Sequence, residues 1–117
     1  MSFPAAARAA ARPEAEQQKI DWLLDQMRAS DAVFLRNGTE YDGKKAAAHI
    51  KSKLSWAGDR VQTARDFIAG CATKSESSGK PYLVRPKGSA TASPLADWLL
   101  ARLAEREKAP APTKKPA

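Results

Sequence analysis

The sequence predicts an α+β single domain dominated by helix, with about four helices packed on a minimal two-stranded antiparallel sheet. Two observations carry this prediction. Four segments place apolar residues at helical spacing beside start or stop signals. Two short runs, Ala32–Arg36 and Tyr82–Arg85, are rich in β-branched, aromatic and aliphatic residues and are bounded by turn residues.

Residues 1–14 alternate alanines with Arg8 and Arg12 and have no apolar stretch of the length a secretory signal needs. They are expected to be a disordered tail or the stump of a removed signal. The first helix is expected from about Glu14 to Ala29, with Ile20, Leu23, Leu24 and Met27 as its buried stripe. Trp22 points away from that stripe, so it either packs under another segment or stands exposed as a contact residue. Asp31 introduces the first strand, and the turn signal Asn37-Gly38 follows it.

Asp42 is the expected N-cap of a second helix that runs to about Trp56 and stops at Gly58, with Ala46, Ile50, Leu54 and Ala57 in its apolar sector. Thr63-Ala64-Arg65-Asp66 resembles a capping box with Asp in place of Glu and opens a third helix, whose stripe is Phe67, Ile68 and Cys71. The second strand lies between Gly79-Lys80-Pro81 and Pro86-Lys87-Gly88. Ser93 as N-cap with Pro94 at the first position opens a fourth helix striped by Leu95, Trp98, Leu99 and Leu103. Two strands so distant in sequence form a ribbon that is stable only when packed on helices. The Pro/Ala/Lys-rich residues 109–117 read as a second disordered tail, which leaves 15–108 as the domain.

The 117 residues carry a net charge of +7, spread along the chain with no block of like charges. Such a surplus favours weak attraction to anionic surfaces and argues against specific nucleic-acid recognition. No apolar run reaches the ~20 residues of a membrane span. One Cys excludes an intramolecular disulfide, and one Cys with one His cannot supply a Cys/His zinc set, so neither metal nor cofactor is expected. Cys71 reads as a small buried residue.

Three places attract attention. Lys53 falls inside the buried arc of the second helix, where it is either a snorkelling stem or an inward charge held by a carboxylate or carbonyls. His49 and Trp56 share one flank of that helix and, with Tyr41 from the preceding turn, sketch a shallow polar-aromatic site. The loop Lys74–Pro81 is a polar turn or an anion-contacting loop; it lacks the phosphate-loop arrangement and the strand-to-helix elbow of a hydrolase. No nucleophile–base–orienter trio can be assembled from spacing.

Phe34-Leu35-Arg36-Asn37-Gly38 with Tyr41, then His49 and Lys53, resembles the F-x-R-N-G-x-x-Y…H-x-x-x-K pattern of small YfeK-like bacterial proteins. Ser78-Gly79-Lys80-Pro81-Tyr82 is similar to their S-G-x-P-Y motif, and Trp98-Leu99 with Leu103 to their closing helix. The resemblance covers about residues 20–104. It implies a cell-envelope protein, periplasmic rather than cytoplasmic, with no activity to carry over. It marks Arg36, Asn37, Tyr41, His49, Lys53, Ser78 and Tyr82 as one constellation.

The expectation is therefore a non-enzymatic envelope module that binds a protein or an anionic component. A small hydrolase or transferase using His49 with a serine of the 75–78 loop is the alternative, and a weak electrostatic nucleic-acid binder comes third. The motif pattern also predicts a partly buried polar network around the Asn37-Gly38 turn, with Lys53 in it.

Overall fold

The computed structural model describes residues 11–108, so the sequence expectations for 1–10 and 109–117 lie outside the described residues. The chain runs α1 (Glu14–Ala29), β1 (Val33–Arg36), β2 (Thr39–Tyr41), α2 (Gly43–Ala57), a 3-10 turn (Gly58–Arg60), α3 (Ala64–Cys71), β3 (Leu83–Arg85), β4 (Ser93–Pro94) and α4 (Leu95–Lys108). The α+β class and the four helices match the expectation. The sheet is larger than expected, with four antiparallel strands in the order β2-β1-β3-β4 instead of two.

The predicted pair is the centre of that sheet, with Phe34 opposite Val84 and Leu35 opposite Leu83. The two added strands are short and lie at the edges. Asn37 (φ 53°) and Gly38 (φ 82°) both adopt positive φ, the backbone of a tight two-residue hairpin. The turn signal therefore does more than end β1; it returns the chain as Thr39–Tyr41, with Arg36 opposite Thr39 and Phe34 opposite Tyr41. At the other edge Ser93 pairs with Val84 and Pro94 with Leu83. Ser93 and Pro94 are thus strand residues, not the first residues of a helix, and α4 begins one position later. Proline suits this edge because it has no N–H to leave unpaired. The Leu95 amide donates to Tyr82 O at 2.9 Å and ties the start of α4 to β3.

The helix signals hold locally. Asp42 accepts from the Lys45 amide at 2.8 Å, and Thr63 with Asp66 forms the reciprocal capping box. Gly58 stops α2 with φ 58°, where a side chain would be strained. Gly43 has a different reason: a Cβ there would lie 2.0 Å from Met27 O, so glycine lets the start of α2 press against the end of α1.

The helices cover one side of the sheet. α2 lies on β1 and β2, α4 on β3 and β4, and α1 and α3 close the layer above them. Ile20, Leu23, Leu24 and Met27 of α1 meet Ile50 and Leu54 of α2, Phe67 and Ile68 of α3, and Leu99 and Leu103 of α4 in one core. Strand alternation puts Phe34 and Val84 into it. Among the described residues no helix is long and apolar enough to cross a membrane.

The stretch before α1 also takes part in the fold. Arg12 donates to Val61 O at 2.7 Å and to Gly58 O at 3.0 Å, strapping the chain to the turn after α2. Trp22 is half-buried against the core beneath the Arg106 guanidinium, 5.4 Å from its ring centre. Of the two placements expected for Trp22, the structure shows the packed one.

Candidate functional site

Alternation along β1 points Arg36 to the same side as Phe34, toward the helices, and the pairing aligns Tyr41 with Phe34. On α2, His49 and Lys53 stand four residues apart and so share the face turned to β3. Tyr82 enters from the start of β3 and is buried. Its hydroxyl is the hub: Lys53 Nζ donates to it at 2.9 Å, and His49 Nε2 lies 3.2 Å away. The two rings meet edge to face at 5.9 Å.

An ammonium can only donate, so the Tyr82 oxygen accepts from Lys53 and has its own proton to give to His49 Nε2. That arrangement needs an imidazole whose Nε2 carries no proton, the neutral form. Burial, then the charges of Arg36 and Lys53, hold its pKa below the usual imidazole value, in agreement with this assignment.

Lys53 also donates to Lys74 O at 3.0 Å, and Glu76 stands 3.5 Å from its Nζ. It is thus an inward charge held by a carbonyl and a hydroxyl; the snorkelling alternative does not apply. The next residue continues the network. Asn37 Nδ2 donates to Ser75 Oγ at 3.3 Å, and Ser78 Oγ donates to Asn37 Oδ1. Ser75 is itself buried and hydrogen-bonds Ser77. The loop is closed by Ser75 N to Lys80 O (2.9 Å) and Gly79 N to Ser75 O (2.8 Å). Through Lys74 and Ser75 the loop joins the helix-borne cation to the Asn37-Gly38 turn.

Arg36, Tyr41, His49 and Tyr82 line one cavity of about 80 Å³, with Phe34, Ile50 and Leu95 among its apolar walls. The Arg36 Nε is buried and has no hydrogen-bond partner among the described residues. The Arg102 Nε is also buried and unpaired, but its guanidinium lies 3.9 Å from the centre of the Trp98 ring, which attracts it. Arg36 has no such aromatic support among the described residues.

All seven motif residues are thus brought together: Arg36, Tyr41, His49 and Tyr82 around the cavity, Lys53 behind Tyr82, and Asn37 and Ser78 at the loop. Trp56 is not with them. It lies on the far side of Lys53 in a different depression, so the predicted His49–Trp56–Tyr41 grouping is corrected to His49–Tyr82–Tyr41. The hydrogen bonds of the 75–78 serines run to Asn37, to one another and to the loop backbone, while His49 bonds Tyr82. Cys71 is buried, and burial pushes its thiol pKa up. The sequence reading missed Ser75, which is fully buried; a serine among three in one polar loop carries no local mark of burial. Among the described residues no three of His, Cys, Asp and Glu lie close enough to hold a metal ion.

The chain is 34% identical over 68 residues to the uncharacterised protein YfeK of Salmonella typhimurium, a match that spans 57% of each chain. No solved structure matches it. A family model described as a family of unknown function matches residues 14–107, from the first turn of α1 to the last turn of α4, with every motif residue inside. The chain therefore belongs to this family of unknown function, DUF5329, and is YfeK-like.

Proposed function

We propose that this protein is a non-enzymatic binding module of the bacterial cell envelope, acting in the periplasm, and that it takes an anionic group into the cavity beside Arg36. One observation carries the reading: a buried guanidinium nitrogen without a partner beside an apolar cavity. An unpaired buried donor costs about 1–3 kcal/mol, more when charged. Keeping it is understandable if a ligand oxygen completes it. Lys53 agrees in sign, since its ammonium stands behind Tyr82, and the apolar walls strengthen the field of both cations by excluding water. The ligand this favours has an acidic head on a short apolar neck. The envelope location rests on the likeness to YfeK-like proteins.

The test is an NMR titration of the full chain with butyrate, inorganic phosphate and, as a neutral control, butanamide. At millimolar concentrations at least one anion should move the Arg36 and His49 amides, and butanamide should not. Arg36→Gln should abolish the response while melting no lower than the wild type, since it removes a buried donor that has no partner among the described residues. Equal responses to butanamide, or an unaltered response in Arg36→Gln, would overturn the reading.

A further inference from the structure

Trp56 is 82% exposed, the most exposed large apolar side chain among the described residues. It stands at the last turn of α2, over an open depression of about 800 Å³ between α2, the 3-10 turn and α3. This ring contributes little to the core, yet it is not left loose. The Arg60 guanidinium sits 5.1 Å from its centre and is itself anchored, donating from Nε to Ala57 O at 3.1 Å and from a terminal nitrogen to Trp56 O at 3.4 Å. A fixed cation therefore supports the indole from one side. The apolar part of the lining is small: Val61, Ala69 and Gly70 supply it, and a Cβ on Gly70 would meet nothing within 4 Å. Around it stand two cations, Lys53 and Arg60, and two carboxylates, Asp66 and Glu76.

We propose that this depression binds a neutral saccharide, with one sugar ring against Trp56 and its hydroxyls on the surrounding charged groups. The lining selects that chemistry. Each sugar hydroxyl both donates and accepts, and a wall with equal numbers of cations and carboxylates offers partners for both roles. The same balance gives no preference to an anion and no electrostatic track for a nucleic acid. A quaternary ammonium is recognised by an aromatic cage, whereas here there is one ring, already bearing a cation. A flat aromatic face beside a shallow apolar lining of Val61, Ala69 and Gly70 suits the apolar face of a pyranose. This inference is independent of the anion cavity, which lies on the other side of Lys53.

The experiment follows the three indole N–H signals of the full chain by NMR while cellotriose or chitotriose is added, with one acidic and one basic hexapeptide as controls. The Trp56 indole should move with at least one trisaccharide, with a Kd of about 1 mM or tighter, while the half-buried Trp22 and Trp98 stay in place. Trp56→Ala should melt like the wild type, because the ring is exposed, and should lose at least about tenfold in affinity. Gly70→Leu, whose Cβ has open space around it and whose branched end projects from the depression's lining, should block binding with Trp56 intact. The proposal is overturned if neither trisaccharide moves Trp56, if Trp56→Ala binds undiminished, or if a hexapeptide moves the indole and the sugars do not.

Discussion

Where α1, α3 and α4 meet, the charges compensate one another. Lys19 bridges Glu16 at 3.2 Å and Glu107 at 3.1 Å, Arg65 grips both Glu107 oxygens, and Glu16 accepts the Ala64 amide at 2.8 Å at the start of α3. The backbone bond from Ala64 pulls the Glu16 carboxyl below the usual range, and the bond from Arg65 does the same for Glu107. Between α2 and the sheet the pattern is reversed. The cations Arg36 and Lys53 flank the neutral His49, with Glu76 as the nearby carboxylate, and Glu76 is largely in water. The first cluster resembles a fastening, with partners that satisfy one another. The second resembles a site, because it retains an unpaired donor and a cationic surplus that a ligand can use. Charge balance, more than the number of charged residues, separates the two.

The strongest way to break the contrast is Lys53→Met. It keeps the stem but leaves Lys74 O and the Tyr82 hydroxyl without their donor, and should cost about 1–3 kcal/mol in a urea melt. An unchanged midpoint would return Lys53 to the role of a rim charge. This is less than the loss of a fully buried ion pair would imply, because Glu76 can turn to water. On the fastening side, Glu16→Ala removes the acceptor for the Ala64 amide and should cost about 1 kcal/mol, with Glu16→Gln recovering part of it. Glu107→Gln should cost less, within about 1 kcal/mol, and its effect should shrink in about 1 M salt, since these groups lie near the surface. A larger effect that resists salt would mean the network is structural in the manner of a buried pair.

The smallest effect sharpens the contrast by pH. His49 has a depressed pKa, so below about 6.5 the unfolded chain binds more protons than the folded one. Stability is then full above that pH and falls as the pH drops through it. The carboxylates Glu16 and Glu107 also have depressed pKa values, so their contribution is present above about 4.5 and is lost on further acidification. Stability against pH should therefore decline in two stages, and His49→Gln should flatten the upper stage alone. A single decline below pH 5 in the wild type would show that His49 is not held neutral by its surroundings.

Much of this molecule was legible in the sequence wherever the determining interaction is local. The bounds of α1, the Asp42 cap, the Thr63–Asp66 box and most of the buried stripes follow from periodicity and capping, although Ala57 and Trp98 are only half-buried and Ala47 is buried without having been expected to be. These depend on residues within a few positions of one another, and composition and spacing record them. The motif pattern also pointed to the seven site residues, though not to what each of them touches.

The remaining features depend on partners far apart in the chain. Thr39–Tyr41 and Ser93–Pro94 are strands because β1 and β3 offer free hydrogen-bonding edges, and nothing in three or two residues announces that. Ser75 is buried, and not merely polar, because Asn37 reaches it across 38 positions. Lys53 points inward because Tyr82 and Lys74 arrive from another segment, while Trp56, three residues later on the same helix, turns to water. The helices, the central strand pair and the excess of positive charge are written in local spacing and composition. Which of those charges would be paired and which left beside a cavity was settled by packing, because pairing depends on distances that only the folded chain sets.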